Sequence, residues 1–288
     1  MANPNWRVKR QFGGRWQKRL STRYGPWALV TGASSGIGRE MVLRLAEAGI
    51  NLVLIARSQT VLEQMAVALT SQHGIEVRVF VLDLSLAAGV ETLVVATQDL
   101  DIGLLVAAAG FGTSGLFLNS LLEQEMEMLN VNCRSLLELI WHFGQRFAMR
   151  GRGGMVLMSS IVGFQGMPFA AHYAATKAYV QALAEALYVE LAPMGIDVLA
   201  AAPGPTHSGF ATRAGMQMGM ALKPEDIALP ILNALGRRSV LLPGVLSKLL
   251  TYSLVPLPRW SRVQIMGGVM GSMTKHQRGT IADLAEVE

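Results

Sequence analysis

One cysteine, Cys133, stands in a chain of 288 residues. No internal disulfide can form and no thiolate cluster can hold a metal, which fits a reducing, cytoplasmic setting. Charge is scarce as well: Asp, Glu, Lys and Arg supply 16% of the residues, against 51% that are apolar. That balance excludes a disordered chain and asks for a deep core, some membrane contact, or both. No apolar segment follows the basic start, so no secretory signal peptide is expected. The uncharged run 102–122 is broken by four glycines and by hydroxyl side chains, unlike a membrane span. The histidines (His73, His142, His172, His207 and His276) are scattered, and no carboxylate or second histidine stands at ligand spacing from His172, so no metal is expected.

Acid is missing from two stretches. Residues 1–24 hold seven of the 25 Lys and Arg and no carboxylate, which leaves the rest of the chain close to neutral. The charged side chains of residues 227–282 are again all basic, among them Lys248, Arg259 and Arg262. Such ends suit anionic phosphate, and one expectation is peripheral membrane association through both of them. The tail segment 245–255 adds an apolar face of Val245, Leu246, Leu249, Leu250 and Leu254, with Ser247, Lys248 and Thr251 opposite. Packing on its own domain and a dimer contact are the other uses of that face. The body lacks aromatic-rich basic motifs, so nucleic acid is not expected as a partner.

Short apolar runs rich in β-branched residues recur at 27–31, 51–56, 76–82, 103–109, 154–159, 196–202 and 239–242. Helical periodicity lies between them, for example at 37–48, 60–72, 119–149 and 173–192. Strand–helix alternation predicts an α/β fold: a doubly wound, mostly parallel seven-stranded sheet with helices on both faces. The expected layout is a basic arm at 1–24, one domain at 25–243 and an apolar-basic tail at 244–288.

The first strand runs into "TGASSGIG", residues 31–38. Gly32, Gly36 and Gly38 allow a tight turn and close approach to a ligand, with Ser34, Ser35 and Ile37 between them. The helix that follows offers unpaired N–H groups to a pyrophosphate. Asp83, followed by Leu84, closes the third strand, where a carboxylate suits an adenine amino group; capping the next helix is its other use.

Further on, "AAHYAATKAY" places Tyr173 and Lys177 four residues apart on one helix face. A free phenol has a pKa of about 10, too high to exchange protons readily at neutral pH. A nearby ammonium is expected to lower it toward the working range.

The glycine turn, Asp83, Ser160, Tyr173-x3-Lys177 and "PGPT" at 203–206 resemble, in order and spacing, the short-chain dehydrogenase/reductase (SDR) family. The resemblance covers about residues 25–243 and implies a Rossmann-type fold. It implies an enzyme that moves a hydride between nicotinamide and a ketone or secondary alcohol. It also implies roles: Tyr173 as proton donor, Lys177 reaching the nicotinamide ribose, Ser160 orienting the carbonyl and Asn132 anchoring a water. Ser159 and Asn130 are the alternatives for the last two. Pro203 and Gly204 give a sharp exit from the sixth strand, and the Thr206 hydroxyl and nearby backbone would hold the nicotinamide carboxamide; an ordinary proline loop is the other use. The family's Asn-Asn-Ala-Gly is "AAAG" here, keeping Ala109 and Gly110 beside the cofactor but losing two amides that tie the sheet.

The second strand ends in Ala56, Arg57 and Ser58, with no acid for a ribose 2′-hydroxyl. Arg57, with Arg39 from the glycine turn, suits a 2′-phosphate, so NADP(H) is expected over NAD(H). Phe164, Met167 and Phe169 precede the tyrosine; Phe210, Met216, Met218 and Met220 follow the "PGPT" loop, with Arg213 among them. They predict an apolar, lipid-like substrate. A homo-oligomer is expected by analogy with the family. A non-catalytic nucleotide sensor or scaffold on the same fold is the competing expectation.

Overall fold

The computed structural model describes residues 14–277 apart from Met218 and Met220. Seven strands form one sheet: β1 (Trp27–Thr31), β2 (Asn51–Ala56), β3 (Val77–Val81), β4 (Ile102–Ala107), β5 (Gly153–Met158), β6 (Ile196–Ala201) and β7 (Val240–Leu241). Their order is β3-β2-β1-β4-β5-β6-β7, and every pairing is parallel. The chain reverses its lateral direction between β1 and β4, which opens a crevice at the carboxyl ends of the strands.

Alternate residues of each strand feed two cores. On one face Val30, Leu54 and Val106 meet α1 (Arg15–Tyr24), α2 (Gly36–Glu47), α3 (Gln59–His73) and α9 (Pro224–Ala234). On the other, Leu29, Val53 and Leu105 meet α4 (Ala87–Ala96), α6 (Ser135–Arg150) and α7 (Ala171–Glu190). Burial on both faces is why the strands read as nearly continuous apolar runs.

The segment expected to be a separate arm is, from Arg15 onward, a helix of this domain. Leu20 and Tyr24 are fully buried in the core. The Tyr24 hydroxyl donates to Asp197 at 2.8 Å, and Arg19 donates to the Leu235 carbonyl at 2.9 Å. Arg23 also binds Asp197. Arg19 and Arg23 therefore bind groups of the domain, Arg15 and Lys18 stay exposed, and Arg7, Lys9 and Arg10 lie outside the described residues.

The helical region expected at 119–149 contains one irregularity. α5 (Leu122–Leu129) runs into a π turn (Asn130–Arg134) and then into α6. A π turn adds a residue to the ladder and re-aims the side chains it carries.

The apolar face expected on the tail helix is divided: Leu254 is buried, while Lys248 of the opposite face is exposed. α10 (Val245–Tyr252) buries Ser247 and Thr251 and exposes Val245, Leu249 and Tyr252. The cause is a backbone demand: the Gly204 N–H donates to Ser247 Oγ at 2.9 Å. An apolar face cannot satisfy that donor. α11 (Arg259–Met273) follows and closes one side of the crevice. Among the described residues no helix is long and apolar enough to cross a membrane.

Candidate active site

β1 delivers the chain into the glycine turn. Gly32 has φ +66° and Gly36 has φ +55°. A Cβ on Gly32 would lie 2.8 Å from the Ala108 carbonyl oxygen, so no larger residue fits. Ser35 caps α2 in extended geometry and leaves the first N–H groups of that helix facing the crevice. The crevice is a cavity of about 650 Å³ that runs from this turn to Tyr173 and Lys177.

The reacting end is assembled from three elements. Ser160 follows β5, and its hydroxyl accepts from the Val162 N–H at 3.4 Å. Tyr173 and Lys177 come from the first turns of α7, and both are buried. Lys177 Nζ donates to the Met158 carbonyl at 2.9 Å. Asn132 projects from the π turn and is tied on both sides of its amide. Its Nδ2 donates to the Phe111 carbonyl at 2.8 Å and to Thr176 Oγ1 at 3.0 Å, while Oδ1 accepts from the Phe111 N–H at 3.1 Å.

Gly110 sits where these groups converge. A Cβ there would stand 2.9 Å from Asn132 Oδ1 and 3.4 Å from Lys177 Nζ. Asn132 does not line the cavity itself; it lies one step behind the wall.

Burial sets the protonation of the pair. It pushes the Tyr173 phenol above its ordinary value, against a hydrogen bond with Ser160 that pulls it down. It lowers the Lys177 amine to about 8. The expected lowering of Tyr173 by its lysine is thus reversed, because removing both groups from water favours their neutral forms.

The model of the family described as short chain dehydrogenase matches residues 26–218. This chain belongs to that family. It is 32% identical over 230 residues to a 7beta-hydroxysteroid dehydrogenase of Clostridium sardiniense, covering 78% of this chain and 88% of that one. It is 30% identical to a very-long-chain 3-oxoacyl-CoA reductase of Ajellomyces capsulatus, over 90% of this chain and 77% of the relative. A solved 7beta-hydroxysteroid dehydrogenase structure superposes with a TM-score of 0.80 at 26% identity, covering 86% of this chain and 99% of that one. A short-chain dehydrogenase from Sphingobium yanoikuyae, in complex with NADPH, superposes at 0.73 with 28% identity, covering 88% and 99%. The chain is an oxidoreductase that acts on CH–OH and C=O groups with a nicotinamide cofactor.

The short-chain dehydrogenase cleft accommodates that cofactor by shape and charge. The glycine turn is free of Cβ obstruction, the α2 N-terminus faces it, and Leu84, Ala109, Pro203, Gly204 and Thr206 line the same cavity. Asp83 stands at the far end. Burial pushes its carboxyl up, but the Ser85 N–H, donating at 2.8 Å, and the nearby Arg57 outweigh that and hold it below the ordinary range. Arg57 lines the cavity and donates to Glu127 Oε1 at 3.3 Å. Arg39, half-buried on α2, does not line it.

Met167, Met216 and Phe210, the last from α8 (Gly209–Arg213), line the cavity. Phe164 does not; the short helical turn Ile161–Phe164 directs it onto Ile161, Ala202 and Leu242 instead. Phe169 packs against the neighbouring apolar cluster, and Met218 and Met220 lie outside the described residues.

Sequence reasoning misses several groups. Met266, Met270 and Met273 of α11 form a wall at helical spacing, a pattern visible in the sequence but not read there as a helix. Glu127 is missed entirely; it also accepts from Arg213 at 3.0 Å, and Arg213 lies 3.6 Å over the Phe111 ring. Thr31 is missed too. Its hydroxyl accepts from the Ala109 N–H at 3.0 Å, tying β1 to β4 where the "AAAG" stretch lacks amides. Glu125 meets His172 Nδ1 at 2.6 Å, a carboxylate partner that local spacing does not show.

Proposed function

We propose that this chain is an NADP(H)-dependent reductase of apolar, lipid-like ketones, with sterols and fatty-acyl chains as the leading classes. The carrying observation is that one cavity joins the glycine turn and Arg57 to Tyr173, Ser160 and a wall of methionines. When bound, the nicotinamide supplies or accepts the hydride. The chain's own residues do the rest. Ser160 donates a hydrogen bond to the substrate oxygen and orients it. Tyr173, kept protonated by burial, donates the proton that the oxygen takes up. Lys177, fixed by the Met158 carbonyl, supplies positive charge next to the phenol. Asn132 locks the π turn against Phe111 and Thr176 and so fixes the floor under Lys177.

Two features support NADP(H). No acid ends β2, and Arg57 lines the cavity. The relatives named for steroid and very-long-chain acyl substrates support the apolar reading, as do Met167, Phe210 and Met216. A homo-oligomer is part of the reading, since α6 and α7 leave Leu137, Trp141, Tyr179 and Val189 exposed. The test is a panel of steroid, acyl and short polar ketones, followed by loss of reduced-nicotinamide absorbance with NADPH and with NADH. Turnover restricted to polar ketones, or equal use of both cofactors, would refute the finer assignment.

A further inference from the structure

α10 is packed against the usual order, with Ser247 and Thr251 inside. Val245 is 82% exposed and Leu249 63% exposed. With Tyr252 they repeat at i, i+4 and i+7, so they share one face. The connection to α11 continues the theme: Val255 is exposed, and Trp260, at 71%, is exposed on the first turn of α11. Ile265 and Val269 follow on that helix. Large exposed apolar side chains gathered on two consecutive helices are a candidate contact surface.

The charged side chains of this segment have one sign. Lys248, Arg259 and Lys275 are exposed, and no carboxylate occurs between residues 227 and 282. Exposed apolar and aromatic side chains interleaved with cations match the interface of an anionic bilayer. A second copy fits poorly. An isologous contact would bring Lys248 and Arg259 toward their own counterparts with no acid in the segment to pair them.

The patch reaches the substrate cavity. Val269 is both exposed and a lining residue, and Leu250 of α10 lines the same cavity from behind Leu249.

We propose that the α10–α11 face docks on an anionic lipid surface and sets the cavity mouth against the acyl layer. The docking claim stands on its own; only its purpose, the supply of apolar substrate, rests on the function proposed above. On the N-terminal helix Arg19 and Arg23 are held by the Leu235 carbonyl and by Asp197, which leaves Arg15 and Lys18 as its exposed cations.

The experiment is co-sedimentation of the full chain with phosphatidylcholine vesicles, with and without phosphatidylglycerol. Leu249→Ser/Trp260→Ser removes the apolar anchors and Lys248→Glu/Arg259→Glu reverses the charge; none of the four residues lines the cavity. Arg15→Glu/Lys18→Glu is the control at the other end. Circular dichroism and NADPH binding confirm folding of each variant.

The expected result is binding to phosphatidylglycerol vesicles that weakens with salt. Each α10–α11 double variant should reduce it at least tenfold, with binding intact in the control. Turnover of a short water-soluble ketone should be unchanged, so loss of vesicle binding is separable from failure of the enzyme. Wild-type protein that stays in the supernatant at low salt would overturn the proposal. So would an oligomer that Leu249→Ser/Trp260→Ser converts to monomer, which would assign the face to a second copy. Loss of vesicle binding only in the α1 control would do the same.

Discussion

Lys177 Nζ stands 5.9 Å from the centre of the Tyr173 ring, yet its hydrogen bond goes to the Met158 carbonyl. Burial is the largest influence on each of them. It holds Tyr173 protonated and brings Lys177 to about 8.

The pH dependence follows from those two directions. Tyr173 keeps its proton through neutral pH, so it is ready to donate and not to accept. Lys177 is cationic below its pKa and loses its charge as pH rises through about 8. Reduction, measured as kcat/KM for the ketone, should hold steady at neutral pH and fall above about 8. Oxidation of the corresponding alcohol, which needs the phenol to give up its proton, should rise with pH. Parallel profiles in both directions would contradict this.

Arg57 is the cationic group at the end of β2 that lines the cavity. Arg57→Ala should raise the KM for NADPH by about tenfold or more, the scale of a lost charged hydrogen bond, and leave the KM for NADH nearly unchanged. Equal effects on both cofactors would mean that Arg57 supports only the shape of the loop.

Glu127 is the acceptor that Arg57 and Arg213 share. Glu127→Gln removes a negative charge from the mouth of the adenosine end. Because the bridges are partly exposed, the stability change should be within about 1 kcal/mol. The KM for NADPH should fall a few-fold as the two guanidinium groups are released. A rise in that KM would show that Glu127 positions Arg57 for the cofactor.

Met270 faces the cavity from α11 and is buried. Met270→Lys should raise the KM for apolar ketones by at least tenfold while the KM for NADPH stays within a factor of two or so. That split, roughly the cost of placing an amine in an apolar wall, distinguishes a substrate wall from general destabilisation.

Much of the fold and of the site is legible in the sequence alone. Runs such as "WALVT" and "NLVLIA" mark strands because burial on both faces leaves no room for alternation. Tyr173 and Lys177 are readable because four residues of helix fix their relation. The rest depends on contacts far apart in the chain. Glu127 and Arg213 are 86 residues apart, and nothing local announces their meeting. The tail helix shows two faces in its sequence, but only the distant Gly204 N–H explains why Ser247 turns inward. The tyrosine's protonation escapes the sequence for a similar reason: spacing gives a neighbour, and not how much water surrounds it.

The chemistry rests on the Tyr173 hydroxyl carrying the proton in a cleft built for a nicotinamide. Tyr173→Phe removes that oxygen and keeps the ring packed on Phe210, whose centre lies 5.3 Å away. Single-turnover ketone reduction with bound NADPH should slow by about 10²–10⁴-fold, while NADPH affinity, read by fluorescence, stays within about twofold. A variant that reduces the ketone at nearly the wild-type rate would contradict that role for the hydroxyl.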